Sequence, residues 1–181
     1  DRDAFRVDRL EAPIALKFGK LELSGKIDRV DELEGGGSVL IDYKTGQSGR
    51  NSWAPEARLA DVQLPAYAVS MNPAPTAISF ARLRPESLVF DGLAEVDAGM
   101  SGVEVIGQIR RAPFRETESW QALLADWKLS LEALADNFQQ GRAAVDPRKP
   151  EVCRYCHLMS LCRIHERQAL DNNDLTETSD E

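Results

Sequence analysis

The sequence predicts an α/β fold, and two observations carry the prediction. Apolar and polar side chains alternate on either side of a glycine run, the mark of half-buried strands, and a later stretch repeats apolar residues at steps of three and four, the mark of a helix. Taken in order, residues 14–44 read as β structure. Leu21, Leu23 and Ile27 alternate with Glu22, Lys26 and Asp28, then Glu34-Gly35-Gly36-Gly37 interrupts, and Val39, Leu40 and Ile41 resume. This predicts a hairpin with a glycine-rich turn. Residues 55–72 are richer in Ala and Leu, and Asp61 is placed to cap a helix over 62–71, with Pro65 tolerated near its first turn. Residues 76–84 and 87–96 predict two further strands meeting at Pro85, whereas 100–115 carry no decisive pattern. A long helix is predicted from about Glu118 to Gln140, where Trp120, Leu123, Leu124, Trp127, Leu131, Leu134 and Phe138 form one apolar stripe, read as core packing. Gly141 ends it, and Asp146-Pro147-Arg148-Lys149-Pro150 is a stiff connector.

The 181 residues are enough for one domain with a sizeable core. No apolar run approaches the roughly 18 residues of a membrane span, and the opening Asp-Arg-Asp-Ala-Phe is unlike a signal peptide, so a soluble intracellular protein without a membrane partner is expected. A chain without an initiator Met is read as a piece of something longer. Acidic residues outnumber basic ones 30 to 22, a formal net charge of −8. Five of the acids, Asp171, Asp174, Glu177, Asp180 and Glu181, crowd an end segment with no Lys or Arg, which reads as a disordered acidic tail. The remaining balance excludes capture of nucleic acid by charge alone, without excluding nucleic acid as a substrate.

Chemistry concentrates in Gly25-Lys26-Ile27-Asp28-Arg29-Val30-Asp31 and Leu40-Ile41-Asp42-Tyr43-Lys44-Thr45-Gly46. Side chains alternate along a strand, so Asp42 and Lys44 share one face. A register placing Asp28 across from either one brings two carboxylates and an ammonium onto one patch, and a slip of one residue sends Asp28 to the other face. Adjacent carboxylates resist joint ionisation unless a positive charge lies between them. A hard divalent cation such as Mg²⁺ suits them, and with Lys44 beside it the group is equipped for hydrolysis of a phosphodiester. The plainer reading of the same residues is a cross-strand ion pair of Asp28 with Lys44, Asp42 being solvated. Farther on, Gln63 and Tyr67 stand four apart, on one face of the predicted helix. Near the end, Cys153, Cys156 and Cys162 form C-x2-C-x5-C; an odd, close-set trio cannot make a disulfide framework and points to a metal. Zinc is one candidate, with His157 or His165 as fourth ligand, His165 having the better spacing.

Asp28 in G-K-I-D-R-V-D, then I-D-Y-K-T-G, Q-L-P-A-Y-A and C-x2-C-x5-C, in that order over residues 24–165, together resemble the PD-(D/E)xK nuclease domain of RecB and AddB helicase-nucleases. The resemblance implies a restriction-endonuclease-like fold, a mixed β-sheet flanked by helices. It implies that Asp28, Asp42 and the backbone carbonyl of Tyr43 bind Mg²⁺ or Mn²⁺, that Lys44 acts on the attacking water, and that Gln63 and Tyr67 support the site and the DNA strand. Ile27 stands where the superfamily name has Pro. The His or Glu that relatives carry on a helix ahead of the hairpin has no counterpart here, because Asp3, Asp8 and Glu11 fit its spacing poorly. The resemblance also implies that Cys153, Cys156 and Cys162 are three of four thiolates of a [4Fe-4S] cluster, the fourth lying upstream of Asp1, as such clusters take four thiolates.

The expected organisation is a nuclease domain over residues 1–150, a cysteine-containing segment over 151–168 packing on it, and the acidic tail over 169–181. The expected function is Mg²⁺-dependent DNA hydrolysis, by an exonuclease, within a larger repair or recombination machine of the bacterial cytoplasm. Its partners would be DNA and a helicase domain or subunit, since the chain has no G-x-x-x-x-G-K-[ST] loop of its own. The alternative is a non-catalytic nucleic-acid-binding or metal-stapled scaffold module.

Overall fold

In the computed structural model, residues 4–85, 87–164 and 166 are described. Strands β1 (Phe5–Phe18), β2 (Leu21–Leu33), β3 (Ser38–Lys44), β4 (Ala77–Arg84), β5 (Ser87–Ala94) and β6 (Val103–Val105) form one six-stranded sheet in sequence order. The sheet is mixed: β3 pairs with β4 and β5 with β6 in parallel, and the other neighbours are antiparallel. A parallel pair needs a crossover, and between β3 and β4 it contains the helix α1 (Gln63–Ser70). The second long helix, α2 (Trp120–Gln139), begins at Ser119, whose side chain accepts the Ala122 N–H. This is the α/β architecture, a mixed sheet with helices packed on it, that the sequence and its resemblance lead one to expect.

Two apolar clusters sandwich the sheet. The larger joins Ile27, Leu40, Ile78 and Phe80 to Leu64 and Ala68 of α1 and to Leu123 and Trp127 of α2. The smaller joins Val39, Ile41, Ala77 and Ala81 on the other face to Ala98 and Met100. Val39 and Ile41 therefore face one side of β3 and Leu40 the other, and Asp42 and Lys44 continue the Leu40 side, the side of α1.

The chain divides into two compact units, Asp1–Gln140 and Gly141–Glu181. In the second unit the described residues form a 3-10 helix over Pro150–Tyr155 and a single helical turn over Met159–Cys162. The expected acidic tail, 169–181, lies outside the described residues. Among those described, no helix is long and apolar enough to cross a membrane.

Two sequence expectations need correcting. Strand structure begins at Phe5, not at residue 14, because β1 is a long arm of mostly exposed residues whose charged positions hide the alternation. Backbone pairing to β2 holds it, with ion pairs Arg6–Glu32 and Lys26–Glu11 across the two strands. The apolar stripe of α2 is core only in part: Trp120, Leu123, Trp127 and Leu131 are buried and Leu124 is half-buried, whereas Leu134 and Phe138 are exposed. Asp61 does act at the start of α1, but from one residue before its N-cap Val62, its carboxylate accepting the Gln63 N–H at 3.0 Å.

Candidate active site

The site forms where β2 and β3 part. Their ladder runs from Glu32–Ser38 to Arg29–Ile41. One residue beyond that last pair, Asp28 turns its Oδ2 to accept the Tyr43 N–H at 3.0 Å, which puts its charge close enough to act on Asp42. The tyrosine side chain leaves the site: its ring is exposed and its hydroxyl accepts from Arg29 Nη1 at 3.3 Å, so only the Tyr43 backbone belongs here.

Asp42 is buried at 3% exposure. The ammonium of Lys44 lies 2.8 Å from its Oδ2 as an ion pair. Burial raises the Asp42 carboxyl above the usual carboxylate range, and the neighbouring charges of Asp28 and Asp61 push the same way, while Lys44 opposes them. The same ammonium donates to Gln63 Oε1 at 2.9 Å and stands 5.7 Å from the Phe80 ring centroid. One turn along α1 from Gln63, the Tyr67 hydroxyl accepts the Lys26 N–H at 3.3 Å.

Asp42, Lys44 and Gln63 thus converge directly, Asp28 joins them through the Tyr43 backbone, and Tyr67 braces α1 against β2. The plain ion pair of Asp28 with Lys44 is not formed; the lysine pairs with Asp42. Phe80, directly across the parallel ladder from Asp42, is absent from the sequence reading, because only the β3–β4 register reveals it. Ahead of β2 the described residues form β1, in which Asp8 pairs with Arg9 and Glu11 with Lys26.

Two neighbouring carboxylates, one of them buried and with its ionisation held back, offer oxygen donors. That chemistry fits a hard divalent cation, which takes carboxylate, carbonyl and water oxygens. Among the described residues, no group of three or more His, Cys, Asp or Glu side chains is arranged to hold a metal. The cysteines therefore do not converge: Cys156 Sγ accepts the Leu158 N–H at 3.4 Å, and Cys162 Sγ contacts the Met159 carbonyl at 3.7 Å. This arrangement does not fit a cluster ligand set, and the zinc candidate His165 lies outside the described residues.

Residues 1–163 match the family model of the PD-(D/E)XK nuclease superfamily. No curated protein matches the chain. A solved structure described as "Crystal structure of SSO0001" is similar at a TM-score of 0.41 and 14% identity, over 90% of this chain, which spans 59% of that protein's length. With the family match covering the whole hairpin site and most of the sequence, the chain belongs to the PD-(D/E)XK nuclease superfamily.

Proposed function

We propose that this chain is the catalytic domain of a divalent-cation-dependent deoxyribonuclease, working as an exonuclease on DNA delivered by a helicase domain or subunit in repair or recombination. The observation that carries the reading is the buried carboxylate of Asp42, whose charged form burial disfavours although Lys44, itself held by Gln63 at 2.9 Å, stands 2.8 Å away. A buried carboxylate left this way costs stability, and a cation-dependent activity gives it a reason to persist.

In this reading Asp28, Asp42 and the Tyr43 carbonyl hold Mg²⁺ or Mn²⁺. When bound, the ion supplies Lewis acidity toward a phosphate oxygen and makes water easier to deprotonate. The rest belongs to the chain. Asp42 and Gln63 fix Lys44 Nζ from two sides, so that its charge stands where negative charge grows on the phosphate, and its protons are positioned for exchange with the attacking water. Tyr67 keeps α1, and with it Gln63, seated on β2. The folded body has no large basic excess, which suits a domain whose substrate is handed to it. A four-thiolate iron–sulfur cluster in a longer parent protein rests on the cysteine spacing alone, and no step depends on it.

The test is degradation of linear DNA in Mg²⁺ or Mn²⁺ by the full-length protein. Asp42→Ala and Lys44→Ala are expected to abolish it, as is chelation of the metal. Undiminished degradation by either variant would remove these residues from the active site.

A further inference from the structure

We propose that Gly25 is a positioning residue: the lack of a side chain there seats the Tyr67 ring on β2, and through α1 this sets the Gln63 amide on Lys44. The inference rests on reading that site as the hydrolytic centre, and it adds a residue from outside the group converging on Lys44.

Gly25 lies inside a long strand, half-buried and paired with Ile14. A glycine there is disfavoured, since it loses more chain entropy than alanine and offers nothing to pack. Its backbone is not left-handed, so conformation does not demand glycine. Space does. A Cβ at this position would stand 2.6 Å from Tyr67 Cε1 and 2.8 Å from the hydroxyl oxygen, distances real Cβ atoms essentially never show, and 3.0 Å from Cζ.

The obstacle is a flat, rigid ring rather than the loose end of a flexible chain. It is buried, and its hydroxyl is tied to the Lys26 N–H, on the residue next to Gly25. Tyr67 and Gln63 share one face of an eight-residue helix whose start is held by Asp61, and Gln63 Oε1 is an acceptor for Lys44 Nζ. A methyl group at position 25 lifts the ring off β2 and tips α1. Because the Gln63–Lys44 contact is 2.9 Å, a displacement well under an ångström removes it from hydrogen-bond range.

The experiment compares the wild type, Gly25→Ala, Tyr67→Leu and the double variant in the full-length protein, measuring kcat and KM for Mn²⁺-dependent DNA cleavage, thermal stability and the ¹H–¹⁵N spectrum. Gly25→Ala is expected to lose about tenfold or more in kcat, with KM little changed, the melting temperature lowered and the Gln63 side-chain amide shifted. In the Tyr67→Leu background, where the ring is gone, Gly25→Ala should cost nothing further. Wild-type kcat in Gly25→Ala, or losses that simply add, would overturn the proposal. Should Gly25→Ala fail to fold, a folded double variant supports it and an unfolded one overturns it. Wild-type inactivity would count against the hydrolytic reading alone, because an unmoved Gln63 amide in Gly25→Ala still overturns the positioning role by itself.

Discussion

Asp42 sits where two demands conflict. Its environment disfavours the charged form, chiefly through burial, although an ammonium stands 2.8 Å away. A carboxyl raised in the folded state binds protons more tightly folded than unfolded, so it lowers stability at every pH above its folded value. As pH falls through that value toward the ordinary 3.8, the cost disappears. Asp42→Asn should therefore stabilise the metal-free protein at neutral pH by about 0.5–2 kcal/mol while abolishing cleavage, a trade expected where a residue is kept for function. Denaturant unfolding at neutral and at acid pH checks the sign: the gain should shrink on acidification, and a loss at neutral pH would mean that the Lys44 pairing outweighs burial. At this scale much was legible. Strand alternation alone put Asp42 and Lys44 on one face, and the i, i+4 spacing put Gln63 with Tyr67. The partner of Lys44 was not, because the choice between Asp28 and Asp42 depends on where the β2–β3 ladder stops. Gly25 opens the G-K-I-D-R-V-D segment, yet its contact with Tyr67 was not legible, since that helix lies far along the chain.

Among the elements, α2 shows how far a periodic pattern can be trusted. Its stripe correctly announces a helix, but period cannot say where the neighbouring surface ends. Leu123 is fully buried, and Trp127 is buried with its Nε1–H donating to the Trp53 carbonyl at 2.8 Å. Trp53 in turn packs on Phe80, ring centroids 4.4 Å apart, and Phe80 lies beneath Lys44. The helix thus buttresses the site through two aromatic side chains. Leu134 and Phe138 pass beyond this support and, with Leu23, Gly25, Gln63 and Tyr67, border a groove of 510 Å³. Leu123→Ala should cost about 2–5 kcal/mol in denaturant unfolding, as large-to-small changes in packed cores do. Phe138→Ala, at a residue 72% exposed, should stay within about 0.5 kcal/mol of the wild type. Equal costs would mean that the last turn of α2 is as tightly packed as its middle. The strand β1 is the opposite case: its outer half faces solvent, so no apolar period betrays it, and backbone pairing to β2 with cross-strand ion pairs defines it.

For the molecule as a whole, fold and site share one origin. A hairpin followed by a parallel crossover puts a helix over the end of β3, where the sequence sets Asp42 and Lys44, and the antiparallel β2 brings Asp28 to the same place. The order of elements was legible because glycine and proline punctuate it, at Gly35–Gly37 and at Pro85. In the proposed site, Asp28 and Asp42 supply part of the net charge of −8 that a cation would offset. The central claim is that these two carboxylates form one divalent-cation site. Calorimetric titration of Mn²⁺ into the wild type, Asp28→Ala and Asp42→Ala measures it most directly. Saturable binding by the wild type that both substitutions abolish is the predicted result; equal binding by all three, or none by the wild type, would contradict it.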